Sequence, residues 1–139
     1  MIDFLFKLCV GFLQWLGEAT HLTYIEISVV FNLWIQGGLL VLSSALPFGI
    51  AVYRCLTDNL RFSVVAFTGI SFMIQCAGFV WVLVHYGINM SRAFDLCVAD
   101  LLRVAEVWHT SYNMVNIVIF VLGWLAVFGV NVYLVCKLR

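Results

Sequence analysis

Three long stretches of the chain carry no Asp, Glu, Lys or Arg, and each is longer than 25 residues. They run over residues 27–53, 62–87 and 109–136. A helix rises about 1.5 Å per residue, so about 20 apolar residues cross the hydrocarbon core of a bilayer. The pattern therefore predicts three membrane-spanning helices, near residues 25–45, 62–86 and 112–136.

Two features suggest where the first spanning helix stops. Pro47 lies inside the first apolar stretch and is expected to end or kink the helix, because proline has no backbone N–H to donate. A turn is predicted over Thr57–Arg61 (TDNLR), since Asp and Asn favour turns. The first two spanning helices are therefore expected to form a hairpin.

Two further segments mix charged and apolar positions with the period of a helix. Their polar stripes contain Asp3, Lys7, Gln14 and Glu18 in the first segment, and Arg92, Asp95, Arg103 and Glu106 in the second. One polar face with a period near 3.6 is typical of an amphipathic helix lying in the membrane interface. We predict interfacial helices near residues 2–18 and 90–108. The alternative for the first is a short fourth span, since about 17 residues is the lower limit for crossing.

The phrase Glu-x-x-His-x-[Thr/Ser]-Tyr occurs twice, as EATHLTY at 18–24 and as EVWHTSY at 106–112. Placing residues 6–30 over residues 94–118 without a gap gives nine identities in 25 positions. Shared leucine and valine carry little information in so apolar a chain. The chain has only three Glu and three His, however, and two of each coincide. The match therefore indicates an internal duplication.

Each copy of the duplicated unit reads as an interfacial helix, a polar corner and a spanning helix. The chain is then a single membrane domain over residues 1–139, in which a connecting helix returns the chain to its starting side. The predicted parts are repeat 1 (about 2–53), the connecting helix (about 62–86) and repeat 2 (about 90–139). Internal repeats of this kind occur in membrane proteins.

Composition supports the membrane assignment, because 65% of the residues are hydrophobic and only 10% are charged. A soluble domain has about 45–50% apolar and about 25% charged residues. The net charge is zero, so no nucleic-acid partner is expected. The expected partners are the lipid bilayer and either further copies of the chain or another membrane protein.

The duplicated corners have a direct structural interpretation. Thr23 and Ser111 lie where a spanning helix starts, and both are good N-cap residues. Glu26 lies three residues after Thr23, as a capping box requires. The phrase is then a well-capped bend between two helices.

A divalent metal site is the alternative interpretation of the same corners. Glu-x-x-His at i and i+3 places both side chains on one face of a helix, and two such pairs can surround a metal. The candidate ligands are Glu18, His21, Glu106, His109 and His85. Known sites of this class take further bridging carboxylates, and only Glu26 is available here. No other cofactor is expected.

Several amides lie within the predicted spans, where lipid offers them no hydrogen bond. They are Asn32, Gln36, Gln75, Asn116 and Asn131. Two arrangements satisfy them: they bond one another inside one protomer, or they meet copies of themselves around a symmetry axis.

No constellation of nucleophile and base suggests an enzyme, and no span carries a mid-depth charge of the kind that ion-coupled carriers keep. We therefore expect a non-enzymatic, homo-oligomeric membrane protein that acts as a pore or scaffold. An accessory subunit of a larger membrane complex is the second interpretation, and a metal- or cofactor-binding protein is the third. The side that holds the C-terminus has four Lys and Arg against three opposite, which favours a cytoplasmic C-terminus.

Overall fold

In a computed structural model, which describes residues 1–58 and 61–138, the chain is helical throughout, without strands over that range. The five helices are α1 (Ile2–Thr20), α2 (Tyr24–Thr57), α3 (Phe62–Tyr86), α4 (Met90–Val107) and α5 (Tyr112–Leu138). Helices α2, α3 and α5 have 34, 25 and 27 residues and are apolar enough to cross a membrane. The prediction of an all-helical chain with three helices of spanning length is therefore confirmed.

Helix α2 continues through Pro47 to Thr57, so the expected end of the first span near residue 45 is wrong. Pro47 is fully buried, and the next residue, Phe48, stacks on Phe72 of α3 at 5.7 Å. The Ser44 hydroxyl donates to the Val41 carbonyl in the preceding turn. Spanning helices tolerate proline where hydroxyl groups and a neighbouring helix stabilise the interrupted backbone.

The centre of the predicted turn, residues 59 and 60, lies outside the described residues, as does residue 139. On one side of it, Arg54 Nε, in the last turn of α2, donates at 3.1 Å to Oδ2 of Asp58, the residue that follows the helix. On the other side, Arg61 is the N-terminal flanking residue of α3. Helix α2 therefore ends and α3 begins at the two sides of the predicted turn, as expected for a hairpin of these helices.

Helices α2 and α5 each contain one π-helical segment, over Val30–Ile35 and Val118–Gly123. Each segment follows six residues of α-helix, Tyr24–Val29 in α2 and Tyr112–Ile117 in α5. The two segments begin 88 residues apart, the same offset as the duplicated phrase. Such segments are rare and occur frequently at functional sites.

Helices α2 and α5 pack side by side, and Trp124 Nε1 of α5 donates to the Gln36 carbonyl oxygen at 3.2 Å. Helices α1 and α4 both pack against this pair. Helix α3 packs on α2 and on α4. A methyl group at Gly37 of α2 would overlap the Phe79 ring of α3, so glycine permits their close approach. The resulting core is small and centres on α4, α2 and α5.

Candidate functional site

The two polar corners have the same backbone geometry. His21 and His109 both adopt the left-handed conformation, with φ of 58° and 50°. At the first corner Leu22 N–H donates to the Gly17 carbonyl at 3.0 Å, and at the second Thr110 N–H donates to the Ala105 carbonyl at 2.9 Å. This six-residue hydrogen bond is the Schellman arrangement that ends many helices, usually with glycine in the left-handed position.

Each corner leads directly into the next helix through a capping residue. The Thr23 hydroxyl accepts from the Glu26 N–H at 3.3 Å, and Glu26 Oε2 accepts from the Thr23 N–H at 2.8 Å, which makes a capping box. The Ser111 hydroxyl accepts from the Met114 N–H at 3.3 Å. The repeated phrase thus encodes one helix end and the next helix start within seven residues.

The candidate metal ligands do not share a helical face in the way their spacing suggested. His21 and His109 lie beyond the ends of α1 and α4 in the left-handed conformation, so the i, i+3 relationship to Glu18 and Glu106 is not that of a continuous helix. Within residues 1–58 and 61–138, no group of three or more His, Cys, Asp or Glu residues could hold a metal ion. His85 instead lies beside Asp100, at 3.3 Å.

Three helices meet at an amide cluster inside the protomer. Asn131 of α5 donates from Nδ2 to Gln75 Oε1 of α3 at 3.1 Å and to Ser43 Oγ of α2 at 2.9 Å. Gln75 Nε2 donates back to Asn131 Oδ1 at 3.4 Å and to Ser71 Oγ at 3.3 Å. Asn131 is only 1% exposed. Of the two arrangements considered above, these residues adopt the one inside a single protomer.

The remaining span amides lie nearer the corners. Asn116 Nδ2 donates to the Tyr112 hydroxyl at 3.4 Å, one helical turn earlier. Asn32 and Gln36 line a groove beside α1, and the hydrogen bonds of the described residues include none from their side chains. These two amides are therefore open to a partner from outside the chain.

A cavity of about 40 Å³ lies between α1, α4 and the first turns of α2 and α5. Fourteen of its sixteen lining residues form seven pairs that are 88 residues apart. The pairs are Phe6 and Phe94, Cys9 and Cys97, Val10 and Val98, Leu13 and Leu101, Tyr24 and Tyr112, Ser28 and Asn116, and Asn32 and Phe120. Corresponding positions of the two segments therefore face each other across this cavity.

Two grooves flank the cavity, one on each side. The α1 groove, of about 230 Å³, is lined by Leu8, Cys9, Phe12, Leu13, Phe31, Asn32, Gln36, Asn116, Phe120 and Val121. The α4 groove, of about 530 Å³, is lined by Leu33, Trp81, Val82, His85, Tyr86, Cys97, Asp100, Leu101, Arg103, Val104, Ile119 and Phe120. Six residues of the α1 groove have their partner at the 88-residue offset in the α4 groove. The grooves differ because the end of α3 borders only the second.

A charged cluster forms the rim of the α4 groove. Asp100 Oδ2 accepts from the Tyr86 hydroxyl at 3.1 Å and lies 3.3 Å from His85 Nε2, while Asp100 Oδ1 lies 3.5 Å from Arg103. The His85 ring stacks on Trp81 at 4.7 Å. The cluster joins the C-terminal end of α3 to the middle of α4.

Cys97 lies in the same groove, one turn before Asp100. Burial raises the pKa of the Cys97 thiol to about 11, and the neighbouring Asp100 carboxylate adds to the rise. A thiol with a raised pKa is a poor nucleophile at neutral pH, because the thiolate is the reactive form. Cys97 is therefore not an activated thiol.

Sequence reasoning missed the rim cluster except for His85. Arg103 belongs to the predicted polar stripe of an interfacial helix, Asp100 was not singled out, and nothing local in the sequence connects either residue to α3. The only available signal was the repeat alignment, which places Asp100 and Arg103 opposite Phe12 and Trp15.

No protein-family model, no curated protein and no solved structure matches the chain.

Proposed function

We propose that the protein is a non-enzymatic membrane scaffold that acts as an accessory subunit of a larger membrane complex and binds another membrane-spanning helix beside α1 and α5. The observation that carries this proposal is an uncovered side of the helix pair. Helix α3 packs on α2 and α4, whereas no described helix packs in the corresponding place against α5 and α1. A partner helix in that place would cover the α1 groove.

The proposal includes an internal duplication, in which α1 and the first part of α2 correspond to α4 and the first part of α5. Reciprocal contacts support it: Phe6 lies 6.1 Å from Tyr112, and Phe94 lies 6.3 Å from Tyr24, both edge to face. Contacts exchanged in this way are the signature of a two-fold relationship. The pseudo-two-fold axis then relates the uncovered side, beside α5 and α1, to the side of α2 and α4 on which α3 packs.

Two amides whose side chains have no hydrogen bond among the described residues make lipid alone an unfavourable cover for the α1 groove. Asn32 and Gln36 line this groove, and an amide facing hydrocarbon without a partner costs several kcal/mol. A helix bearing one hydrogen-bonding side chain would satisfy them. The amide cluster around Asn131 has no such need, because its members bond one another.

The partner helix is expected to differ from α3. Gly37 of α2 admits Phe79 of α3, but the residue 88 positions later is Leu125, whose side chain is 51% exposed. A second copy of α3 would meet this leucine where Phe79 needs space. This difference favours a partner protein over a second copy of the chain at this face.

The proposed placement in the membrane has α1 and α4 in the interface plane. On α1, Phe4, Leu8, Phe12 and Trp15 are exposed on one side, Asp3, Lys7, Gln14 and Glu18 are exposed on another, and Leu13 and Gly17 are buried. A helix with separate apolar, polar and protein-facing sides suits an interface between lipid and water. The distribution of Lys and Arg supports a cytoplasmic C-terminus.

Photo-crosslinking from the α1 groove tests the proposal in native membranes. The crosslinking amino acid benzoyl-phenylalanine replaces Phe12, and as a control it replaces Phe67, which is 61% exposed on the outer face of α3. We expect an adduct with another membrane protein from position 12 and none of that mass from position 67. Equal adducts from both positions, or none from position 12, would contradict a partner at the α1 groove.

A self-associating scaffold or pore is the second candidate function, and the free amides of Asn32 and Gln36 favour it. In that case the adduct from position 12 has twice the mass of the chain. Stoichiometry in mild detergent and in nanodiscs then shows a stable oligomer. Gln36→Leu is expected to shift that oligomer towards monomer, whereas Gln75→Leu acts on the protomer itself because Gln75 is bonded internally.

A further inference from the structure

The α4 groove combines an apolar floor with a charged rim. Val82, Leu101, Val104 and Ile119 belong to the floor, while His85, Asp100 and Arg103 form the rim. The rim lies at the last turn of α3, where a spanning helix reaches headgroup depth. Trp81 and Tyr86, in the last two turns of α3, are of residue types that favour this depth. A ligand that fits the groove is therefore itself amphipathic.

Arg103 provides an exposed and only partly paired cation on the rim. Both oxygens of Asp100 already have partners, in Tyr86, His85 and Arg103. Arg103 approaches Asp100 through one guanidinium nitrogen at 3.5 Å, and its side chain is 80% exposed. Most of the guanidinium therefore stays accessible, and Arg103 is one of the residues that line the groove. A guanidinium with free donors suits phosphate, to which it can bond with two parallel N–H groups.

The α1 groove supplies an internal comparison. It has the same framework at the 88-residue offset, but Phe12 stands in the place of Asp100, and Trp15 in the place of Arg103. Both side chains are aromatic and uncharged. The shared framework thus offers an apolar surface on one side and an apolar surface whose rim carries an exposed arginine on the other, so a phosphate headgroup finds a guanidinium only at the α4 groove.

We propose that the α4 groove binds one phospholipid, with its phosphate on Arg103 and an acyl chain along the floor between α3 and α4. Asp100 acts as a positioning residue, because its carboxylate holds Arg103 at the rim and ties it to His85 and Tyr86. The charge complementarity of Arg103 selects a phosphate-bearing amphiphile over an uncharged one. The inference does not depend on a partner at the α1 groove.

Native mass spectrometry of the full chain in mild detergent tests the proposal. The probes are phosphatidylglycerol, a diacylglycerol with the same acyl chains, and inorganic phosphate. We expect one phosphatidylglycerol molecule to be retained per chain, weaker retention of diacylglycerol, and no competition from inorganic phosphate. Equal retention of the two lipids would overturn the role of the phosphate, and competition by inorganic phosphate would show a free-anion site.

Arginine variants locate the bound phosphate. Arg103→Gln is expected to lower the apparent affinity for phosphatidylglycerol by about tenfold, the factor expected for one charge-assisted hydrogen bond. Arg92→Gln is the matched control, since Arg92 is an exposed arginine on the same helix outside the groove. Both substitutions are at exposed positions, and helix content measured by circular dichroism checks that both variants fold. Equal phosphatidylglycerol affinities of Arg103→Gln and Arg92→Gln would overturn the assignment.

Discussion

Asn131 and Gln75 exchange hydrogen bonds in both directions across the α3–α5 gap, at 3.1 and 3.4 Å, although 56 residues separate them in the chain. Helices α3 and α5 share few other contacts, so this amide pair is the main polar link between them. Ser43 of α2 joins the pair through Asn131, which brings all three spanning helices together at one depth. Substitutions in this cluster therefore test how much it stabilises the packing of the three helices.

Replacing one member of the pair should destabilise the protomer. Asn131→Leu removes the bonds of Gln75 to α5 and keeps its bond to Ser71. We expect a loss of about 1 kcal/mol in unfolding free energy, within the range measured for interhelical hydrogen bonds in membranes. The double variant with Gln75→Leu should lose less than the sum of the two single changes. Unfolding by sodium dodecyl sulfate in bicelles measures these values. Val132→Leu, at an exposed position on α5, is the control.

The corner histidines should tolerate glycine but not a β-branched residue. A left-handed conformation costs L-residues about 1–2 kcal/mol, and for β-branched residues it is a true outlier. His21→Val and His109→Val are therefore expected to destabilise by that amount more than His21→Gly and His109→Gly. Thermal unfolding in detergent measures the difference. If glycine proved as harmful as valine, the histidine rings themselves would be required, which would revive the metal interpretation.

The two helix starts should differ in their sensitivity to loss of the cap. Thr23→Ala removes a hydroxyl that accepts from the Glu26 N–H and donates to the Glu26 carboxylate, whereas Ser111→Ala removes a hydroxyl that only accepts from the Met114 N–H. Loss of an N-cap costs about 0.5–2 kcal/mol. We expect Thr23→Ala to fall in the upper half of that range and Ser111→Ala in the lower half. The corresponding serine and threonine swaps, which keep the hydroxyl, should be nearly neutral in the same unfolding assay.

Cys97 should react slowly and should weaken the fold at high pH. Its pKa is raised from 9.0 to about 11, first by burial and then by Asp100. The folded state therefore holds this proton more tightly than the unfolded state, so the stabilisation is complete below pH 9 and is lost as the pH rises towards 11. Maleimide modification at pH 8, in a chain with the other cysteines replaced by serine, measures the reactivity.

The carboxylate next to Cys97 provides the matched comparison. Asp100→Asn removes the negative charge and should lower the pKa of Cys97, so the maleimide reaction at pH 8 should become faster. Burial is the larger cause, however, and the rate should still stay below that of the denatured chain. An unchanged rate in Asp100→Asn would mean that the carboxylate does not influence the thiol.

Cysteine scanning of α1 distinguishes an interfacial helix from a short span. Lys7→Cys and Gln14→Cys should react with a water-soluble maleimide from one side of the membrane. Leu8→Cys and Phe12→Cys should be protected, because they are on the apolar side of α1, which the proposal turns away from water towards lipid and the partner helix. If all four positions were protected from both sides, α1 would cross the membrane and the duplicated arrangement of α1 and α4 would fail.

The spans could be predicted from the sequence because charge is expensive in hydrocarbon, and charge-free length therefore marks them directly. The C-terminal end of α2 could not, because the effect of Pro47 depends on its burial and on the packing of Phe48 against α3. The sequence patterns also did not predict the π segments over Val30–Ile35 and Val118–Gly123.

Some residues of the candidate site could be predicted from the sequence, but their contacts could not, because these depend on how the helices pack. Polar residue types at hydrocarbon depth identified the span amides, but their pairing depends on the tertiary arrangement: Gln75 reaches Asn131 across 56 residues of chain. The rim of the α4 groove is a stronger case. Arg103 fits the polar stripe of an amphipathic helix as well as any exposed residue does, and only the position of the α3 end beside α4 groups it with Asp100 and His85.

The π segments also determine where α2 and α5 can change length. An α-helix turns the chain by about 100° per residue, so deleting one residue between Gln36 and Ser43, in the α-helical part of α2, would rotate Ser43 away from Asn131. The segments Val30–Ile35 and Val118–Gly123 differ, because a π turn closes i→i+5 hydrogen bonds and can lose one residue by becoming an ordinary α-helical turn. Single-residue deletions should therefore do the least harm inside these two segments.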